Sequence, residues 1–360
     1  MFQKSTFPSP SKYIRDKWRT AIFQLRGHIR EVVLWWKAKM EKLIIDTDLG
    51  YDCDDAGALA VANIMKNAGE TDILAVTHSV DRKIGAEAVK LINSRYGNPD
   101  IPVGIAERYA IDVDRFFEEF YAKFRTDNSF PGWGEKPSFY KLLQGLDLSE
   151  YDAVEFGRSK DVAADALLRS ADGSVTVVCI GQANNAAEML NDCTVAGQNM
   201  TYRELFRKKV RRIVIMCGNF SEYDGEYLLG GLYWRGEFNV LLDIDSAKKL
   251  FSETDLPVYV LDFNQGKDVL SGSGLADQTD NPVRKMYLMH GNGRETDLPS
   301  WDIMAVMFAS GRFDELFSLS ERGTVVIEDS GKSVFQAGKG NHFLIRRKVE
   351  SNVFSGIINE

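Results

Sequence analysis

The 360-residue chain lacks the features that mark several common classes of protein. It holds four cysteines, and none of them forms a Cys-x-x-Cys pair, so neither a zinc ribbon nor a disulfide-rich scaffold is indicated. No apolar run approaches the roughly 20 residues that a transmembrane helix needs. The N-terminus also lacks the apolar stretch and small-residue cleavage site of a secretory signal. These absences predict a cytoplasmic protein in a reducing environment, without a transmembrane segment.

An excess of positive charge is also missing. The formal net charge is -8 at pH 7, so nucleic acid is not expected as a partner. The charge is uneven, however: residues 1–43 hold ten Lys and Arg against three Asp and Glu, whereas the rest of the chain holds 34 against 49. This asymmetry predicts a basic N-terminal segment, residues 1–41, attached to an acidic domain, residues 42–360.

The basic segment has the pattern of an amphipathic helix between Lys12 and Met40. Its apolar residues recur every three or four positions, which places them on one stripe. The stripe consists of Ile14, Trp18, Ile22, Leu25, Ile29, Val33, Trp36 and Met40. We expect this helix to pack against its own domain or against a second copy of the chain, which would make a homo-oligomer. A helix lying on a membrane surface is the alternative.

After Glu41, short apolar runs alternate with helical patterns. The predicted strands are Leu43–Ile45, Asp72–Thr77, Pro102–Ile105, Val175–Ile180, Arg212–Met216 and Val258–Leu261, and the predicted helices include Asp54–Lys66, Gly85–Ile92, Asp161–Leu168 and Ala183–Leu190. This alternation predicts an α/β fold, with a Rossmann-like, mainly parallel sheet covered by helices on both faces. Two stretches rich in glycine and aromatic residues, 125–137 and 221–236, are predicted to be long loops.

Five aspartates fall within ten residues directly after the first predicted strand. They lie in the sequence Asp46-Thr-Asp-Leu-Gly-Tyr-Asp-Cys-Asp-Asp55. Carboxylates packed this tightly repel one another unless a cation binds among them. Oxygen ligands favour a hard ion such as Ca²⁺ or Mg²⁺. Capping of the helix that follows is the simpler explanation for any single aspartate, but capping needs only one carboxylate.

Spacing separates two general alternatives for this acidic run. An EF-hand loop beginning at Asp46 needs glycine at its sixth position and glutamate at its twelfth, and the chain has Tyr51 and Gly57 there. A Mg²⁺-dependent phosphatase of the haloacid dehalogenase type also begins with Asp-x-Asp after a strand. Its motif then usually continues x-Thr or x-Val, whereas Leu49-Gly50 follows here. The phosphatase therefore remains the less favoured alternative.

Four stretches, in order, resemble the inosine-uridine-preferring nucleoside hydrolase family. The acidic run resembles the family's Asp-x-Asp-x-Gly-x-Asp-Asp signature, with two extra residues. The others are Val175–Ala187, which resembles a strand and turn that bind calcium, Gly236–Ala247, which contains Glu-Phe-Asn, and Ser300–Val306, which contains Trp-Asp. Four ordered motifs are more specific than any one of them, and together they imply this family's fold and chemistry for roughly residues 42–330.

The resemblance implies a calcium site and a catalytic base. Asp48, Asp55, Asp302 and the backbone carbonyl of Ile180 would bind Ca²⁺. Asp48 would also be the general base that deprotonates the attacking water. Asp46 would support the loop from behind these ligands.

The same resemblance implies the substrate and the residues that bind it. The substrate would be a ribonucleoside, hydrolysed to its base and ribose. Asp54, Glu237 and Asn239 would bind the ribose.

Several family positions differ in this chain, and the differences cluster around the sugar and the base. Asp81-Arg82 stands where a ribose-binding asparagine is expected, and Trp301 replaces the histidine that usually precedes the last metal-binding aspartate. Trp301 is therefore expected to contact the base, and His78, which follows a predicted strand, is a further candidate for substrate binding. A non-catalytic, calcium-dependent nucleoside- or sugar-binding protein is the alternative to the hydrolase.

Overall fold

The computed structural model describes residues 40–107, 140, 143–220, 236–291, 293–295 and 297–360, together with the backbone of 227–229 and 232–234. Within the chain, Glu41–Glu360 form one compact unit. The predicted amphipathic helix lies, except for Met40, outside the described residues, as does the predicted loop 125–137. The packing of that helix therefore stays a prediction.

An eleven-stranded sheet is the centre of the described fold. Its strands are β1 (Glu41–Thr47), β2 (Thr71–His78), β3 (Val103–Ile105), β4 (Gly157–Arg158), β5 (Val175–Cys179), β6 (Val210–Met216), β9 (Val258–Leu261), β12 (Phe317–Leu319), β13 (Gly323–Ile327), β14 (Ser333–Ala337) and β15 (His342–Arg347). The order across the sheet is β14-β13-β15-β9-β6-β5-β1-β2-β3-β4, and β12 also pairs with β15. The eight strands from β15 to β4 are parallel to one another. Strands β12 and β13 each pair antiparallel with β15, and β14 pairs antiparallel with β13.

Helices cover both faces of this sheet. They are α1 (Asp54–Asn67), α2 (Lys83–Arg95), α3 (Ser159–Leu168), α4 (Asn184–Glu188), α5 (Tyr202–Lys209), α6 (Phe238–Leu242), α7 (Ile244–Glu253), α8 (Phe263–Gly266), α9 (Pro282–His290), α10 (Asp302–Ser310) and α11 (Ser351–Asn359). Three 3₁₀ turns, Ser149–Tyr151, Ser273–Leu275 and Asp314–Leu316, complete the described helical structure. The predicted α/β architecture is confirmed.

The core consists of two clusters, one on each face of the sheet. Side chains alternate between faces along a strand, and in β1 Leu43 and Ile45 join the cluster beneath α1, α2 and α10. Ile44 instead joins the cluster beneath α3, α4 and α5. A strand that is buried on both faces reads as a continuous apolar run, which is why β1 and its neighbours could be recognised in the sequence.

The predicted loop 221–236 contains an element that the sequence interpretation missed. Strands β7 (Tyr227–Leu229) and β8 (Leu232–Trp234) pair antiparallel as a hairpin, with Leu229 opposite Leu232. Each strand is only three residues long, too short for an alternating pattern to appear. The Gly-Gly sequence between them is a known signal for a two-residue hairpin turn. Two further strands of two residues each, β10 (Leu270–Ser271) and β11 (Leu298–Pro299), pair antiparallel outside the main sheet.

None of the helices in the described part of the chain combines the length and the apolar character that crossing a bilayer requires.

Candidate active site

The strand order reverses at β1, and this reversal fixes where a ligand site can form. Strands β2, β3 and β4 follow β1 to one side of the sheet, whereas β5, β6 and β9 extend from its other side. Parallel α/β sheets bind ligands at the carboxyl ends of the strands next to such a switch point. Here those ends lead into the acidic run after β1 and into Ile180–Asn185 after β5.

The ends of β1 and β5 approach each other closely. The backbone N–H of Ile180 donates to the carbonyl of Asp46 at 2.7 Å. A Cβ on Gly181 would lie 2.8 Å from the Cβ of Asp48 and 2.7 Å from the hydroxyl oxygen of Ser79. Only a residue without a side chain allows the backbone this near to Asp48. Gly181 therefore allows the turn after β5 to pack directly against Asp48.

Three buried carboxylates from two helix N-termini converge at the same end of the sheet. Asp54 and Asp55 lie in the first turn of α1, and Asp302 is the first residue of α10. One oxygen from each lies within 4.8 Å of the others. The carboxylate of Asp54 also accepts the backbone N–H groups of Trp301 at 2.8 Å and Asp302 at 3.1 Å. Asp54 thus joins the two helices, and the positive ends of both helix dipoles favour negative charge there.

Burial works against ionisation of these groups in the absence of a cation. It raises the pKa of Asp54 to about 8 and holds the pKa values of Asp48, Asp55 and Asp302 well above the usual range, and repulsion among the carboxylates adds to the effect. Asp55 accepts a hydrogen bond from the Thr47 hydroxyl through Oδ1, while its buried Oδ2 has no hydrogen-bond partner among the described residues. An orphaned carboxylate oxygen within an all-oxygen cluster fits a hard divalent cation such as Ca²⁺.

Asp54, Asp55 and Asp302 form a converging trio of carboxylates. This trio overlaps the predicted calcium ligands without being identical to them. Asp55 and Asp302 belong to both sets. Asp54, predicted to bind ribose, is the third member of the trio, whereas Asp48 lies beside Gly181 and is buried outside it. Ile180 is placed at the end of β5, next to Asp46. Its role as a carbonyl ligand, like that of Asp48, stays a prediction.

Asp46 lies at the end of β1 and connects three elements. Its Oδ1 accepts the hydroxyl of Thr77 in β2 and the side-chain amide of Asn185 in α4, both at 2.7 Å. Burial raises its pKa to about 7, although both hydrogen bonds lower it. These contacts are those of a residue that supports the acidic loop from behind. The sequence interpretation did not single out Thr77 or Asn185. Thr77 lies near the end of the neighbouring strand β2, and Asn185 lies in the motif Val175–Ala187.

Glu237 and Asn239 lie beyond the carboxyl end of β6. Glu237 caps α6, because its Oε1 accepts the backbone N–H of Asn239 at 2.9 Å. Its Oε2 accepts the backbone N–H of Gly218, which follows β6, also at 2.9 Å. Burial raises the pKa of Glu237 to about 7. The side-chain amide of Asn239 donates to the carbonyl of Met216 at 3.1 Å. Both residues that are predicted to bind ribose are therefore buried and hydrogen-bonded to the surrounding backbone.

His78 is fully buried, and its side chain contacts the backbone of the acidic loop at Leu49. Its Nδ1 lies 2.7 Å from the carbonyl oxygen of Val80, and its Nε2 lies 3.0 Å from that of Leu49. Burial lowers the pKa of His78. Both ring nitrogens are thus engaged with protein backbone, so the structure gives the ring a role in fixing Leu49, next to Asp48. Its predicted contact with substrate is not tested by this arrangement.

Substituting Gly85 by alanine should disturb this support. A Cβ at Gly85 would lie 2.2 Å from His78 Nε2 and 2.8 Å from the Leu49 carbonyl oxygen. Overpacking of this kind costs about 1–3 kcal/mol, so we expect Gly85→Ala to lower the melting temperature. Gly356→Ala is the matched control, because Gly356 lies within α11 with nothing within 4 Å of its Cβ position. Equal melting temperatures for the two variants would contradict the packing described around His78.

Aromatic side chains border the acidic loop. Trp301 stacks on Phe263 with ring centroids 5.3 Å apart, and its indole N–H donates to the carbonyl of Phe263 at 2.7 Å. Tyr51, within the acidic run, makes edge contacts with Tyr140 at 5.2 Å and with Phe238 at 6.1 Å. The sequence interpretation assigned a substrate contact to Trp301 and none to the other four. The side chains of the aromatic residues in 221–235 lie outside the described part of the chain.

Comparison with known proteins places the chain in a family. The sequence matches the inosine-uridine preferring nucleoside hydrolase family over residues 43–354. The chain belongs to this family, which confirms the resemblance seen in the four motifs. No curated protein sequence matches the chain at a significant level.

Solved structures show the same fold at low sequence identity. An inosine-uridine preferring nucleoside hydrolase from Bacillus anthracis is 15% identical with a TM-score of 0.62, and covers 89% of this chain and 98% of its own. A plant nucleoside hydrolase is 18% identical, with the same TM-score and the same coverage. The type III effector protein XopQ, solved with adenosine diphosphate ribose, is 14% identical with a TM-score of 0.58, and covers 93% of this chain and 98% of its own.

Proposed function

We propose that this protein hydrolyses the N-glycosidic bond of a ribonucleoside in a calcium-dependent reaction that releases the base and free ribose. The observation that carries the proposal is the convergence of Asp54, Asp55 and Asp302, with Asp48 beside them, at the switch point of the sheet. A chain of the nucleoside hydrolase family with these carboxylates has the groups that the reaction needs.

Each carboxylate can be given a part in the reaction. Asp54, Asp55 and Asp302 would hold the cation, which when bound lowers the pKa of water and anchors hydroxyl groups. Asp48 accepts a proton from the attacking water. The water oxygen then bonds to the anomeric carbon as the C–N bond breaks. The electron pair of the C–N bond passes to the base, which takes up a proton from solvent, and Asp48 returns its proton to solvent. Buried negative charge stabilises the oxocarbenium character that develops on the sugar.

Two buried amide side chains supply candidate sugar contacts beside Asp48. Gln182 accepts from the Ser79 hydroxyl at 2.6 Å, and Asn184 donates to the Ser79 carbonyl at 2.7 Å. Gln182 Nε2 and Asn184 Oδ1, one donor and one acceptor, have no hydrogen-bond partner among the described residues. A sugar hydroxyl both donates and accepts. In this chain Asp81-Arg82 stands in place of the family's ribose-binding asparagine. We therefore assign that ribose contact to Gln182 and Asn184.

Trp301 is proposed to contact the base. Its indole N–H is committed to the carbonyl of Phe263, so Trp301 offers a ring surface and not a hydrogen bond. Stacking of this kind can hold a planar base and exclude water.

A reducing-sugar assay across a panel of nucleosides, with chromatography of the released base, tests the proposal. We expect calcium-dependent release of sugar and base in equal amounts from at least one ribonucleoside. Gln182→Leu should raise KM roughly three- to tenfold, the effect of one lost hydrogen bond, whereas the exposed Gln198→Leu should behave as wild type.

Two further measurements separate the alternatives. Calcium-dependent binding of a nucleoside, or of adenosine diphosphate ribose, without any sugar release would identify a binding protein. Release of inorganic phosphate from a phosphorylated substrate, with Mg²⁺ and without sugar release, would identify a phosphatase. Either result would contradict the proposed hydrolysis.

A further inference from the structure

A second group of metal-ligating side chains lies beside the carboxylate trio and has different chemistry. Asp52, Cys53 and His290 each offer one ligand atom, and these three atoms lie within 4.8 Å of one another. Asp52 and Cys53 immediately precede α1, and His290 is the last residue of α9. Residues almost 240 positions apart in the sequence thus bring a carboxylate, a thiol and an imidazole to one point.

This donor set differs from the trio in the cation that it suits. Calcium takes oxygen ligands, whereas sulfur and imidazole nitrogen favour Zn²⁺ and related transition metals. In tetrahedral zinc sites, bond lengths of about 2.0–2.3 Å separate neighbouring ligand atoms by roughly 3.3–3.6 Å. His290 Nε2 lies 3.5 Å from Asp52 Oδ1. One pair of donors is therefore already at the spacing that such an ion requires.

Solvent can reach the group from one side. The side chains of Asp52 and His290 are 41% and 21% exposed, while Cys53 is completely buried behind them. An ion could enter past the two exposed ligands and meet the sulfur at the inner end. Three protein ligands leave a fourth position for water, as in catalytic zinc sites. Structural zinc sites instead have four protein ligands.

We propose that Asp52, Cys53 and His290 form a binding site for Zn²⁺ or a similar transition-metal ion, distinct from the carboxylate site. Binding replaces the thiol proton of Cys53 with the metal and releases that proton to solvent. No oxidation or reduction is involved. Asp52, Cys53 and His290 take no part in the proposed hydrolysis. Cys53 directly precedes Asp54 and Asp55, so an ion in this site would oppose calcium binding by like-charge repulsion.

Cobalt substitution tests the site without reference to activity. Co²⁺ added to the calcium-loaded full-length protein should produce a near-ultraviolet band from thiolate-to-metal charge transfer, and Zn²⁺ should abolish the band by displacement. We expect Cys53→Ser to lose the band. Cys53→Ser and His290→Gln should each weaken Zn²⁺ binding roughly tenfold or more. Altering a residue that merely hydrogen-bonds to a metal ligand already weakens binding about tenfold, and loss of a ligand should cost at least as much.

Two control variants make the assignment specific. Cys193→Ser removes the exposed free cysteine and should keep the band at full intensity. Asp302→Asn should keep the band while losing calcium. A protein without any band, a band that survives in Cys53→Ser, or a band lost in Asp302→Asn with a native circular dichroism spectrum would overturn the proposal. The absence of any band would leave only a close polar contact between Asp52 and His290. A band lost in Asp302→Asn would assign the cobalt to the carboxylate site.

Discussion

Asp48→Asn should bind calcium and nucleoside but release ribose about 10²–10⁴-fold more slowly than wild type, the usual effect of removing a general base. The side chain keeps its shape and its place beside Gly181 but can no longer accept a proton. Because Asp54, Asp55 and Asp302 are unchanged and asparagine keeps one ligand oxygen, most of the calcium affinity should remain. Single-turnover rates and calcium titrations on the same preparation would measure the two effects separately.

Asp72→Asn is the matched control for this variant. Asp72 lies near the amino end of β2, far along the strand from the acidic loop, and pairs with Lys66. It should turn over normally. Near-normal turnover in Asp48→Asn as well would show that another group accepts the proton.

Asp302→Asn should remove the stabilisation that calcium gives the folded protein. A ligand that binds only the folded state at about 100 times its Kd adds roughly 2.7 kcal/mol of stability. Wild type should therefore melt at a clearly higher temperature with calcium than with a chelator. The exposed Asp314→Asn should respond like wild type, because Asp314 lies in a 3₁₀ turn after α10. A calcium-dependent shift in Asp302→Asn equal to that of wild type would exclude Asp302 as a ligand.

The stability given by calcium should also grow as the pH rises. Burial raises the pKa of Asp46 to about 7 and that of Asp54 to about 8, above the value of about 3.9 expected in the unfolded chain. Between about pH 4 and 8 the metal-free folded state therefore binds more protons than the unfolded state, and its free energy of unfolding falls as the pH rises. Denaturant unfolding at about pH 5 and about pH 8 should show a wider gap between calcium and chelator at the higher pH. A constant gap would contradict the buried cluster of carboxylates.

The main features of the fold could be predicted because they depend on local patterns. Strand β1 is buried on both faces, so Leu43, Ile44 and Ile45 read as one apolar run. The acidic loop follows this strand directly, so the apolar run and the five aspartates lie within fifteen residues of sequence. The hairpin of β7 and β8 was missed because each strand is three residues long, which is shorter than any periodic pattern can show.

Contacts between distant residues could not be read in the same way. Asp46 binds Thr77 and Asn185, which lie 31 and 139 positions away, and only the order of strands in the sheet brings them together. His290 reaches Asp52 through the packing of α9, which no motif indicated. The role of Asp54 as the link between α1 and α10 depends on where α10 begins relative to α1, and the spacing of aspartates carries no information about that.

Calcium-dependent release of free ribose is the measurement that tests the proposed hydrolase most directly. The purified protein would be stripped with a chelator, assayed on the best nucleoside of the panel, and assayed again after calcium is restored to one equivalent per chain. We expect ribose release to disappear with the chelator and to return with calcium in wild type, and to stay absent in Asp302→Asn. Ribose release that continues at the same rate in the stripped protein, or no release from any nucleoside with calcium restored, would contradict the proposed function.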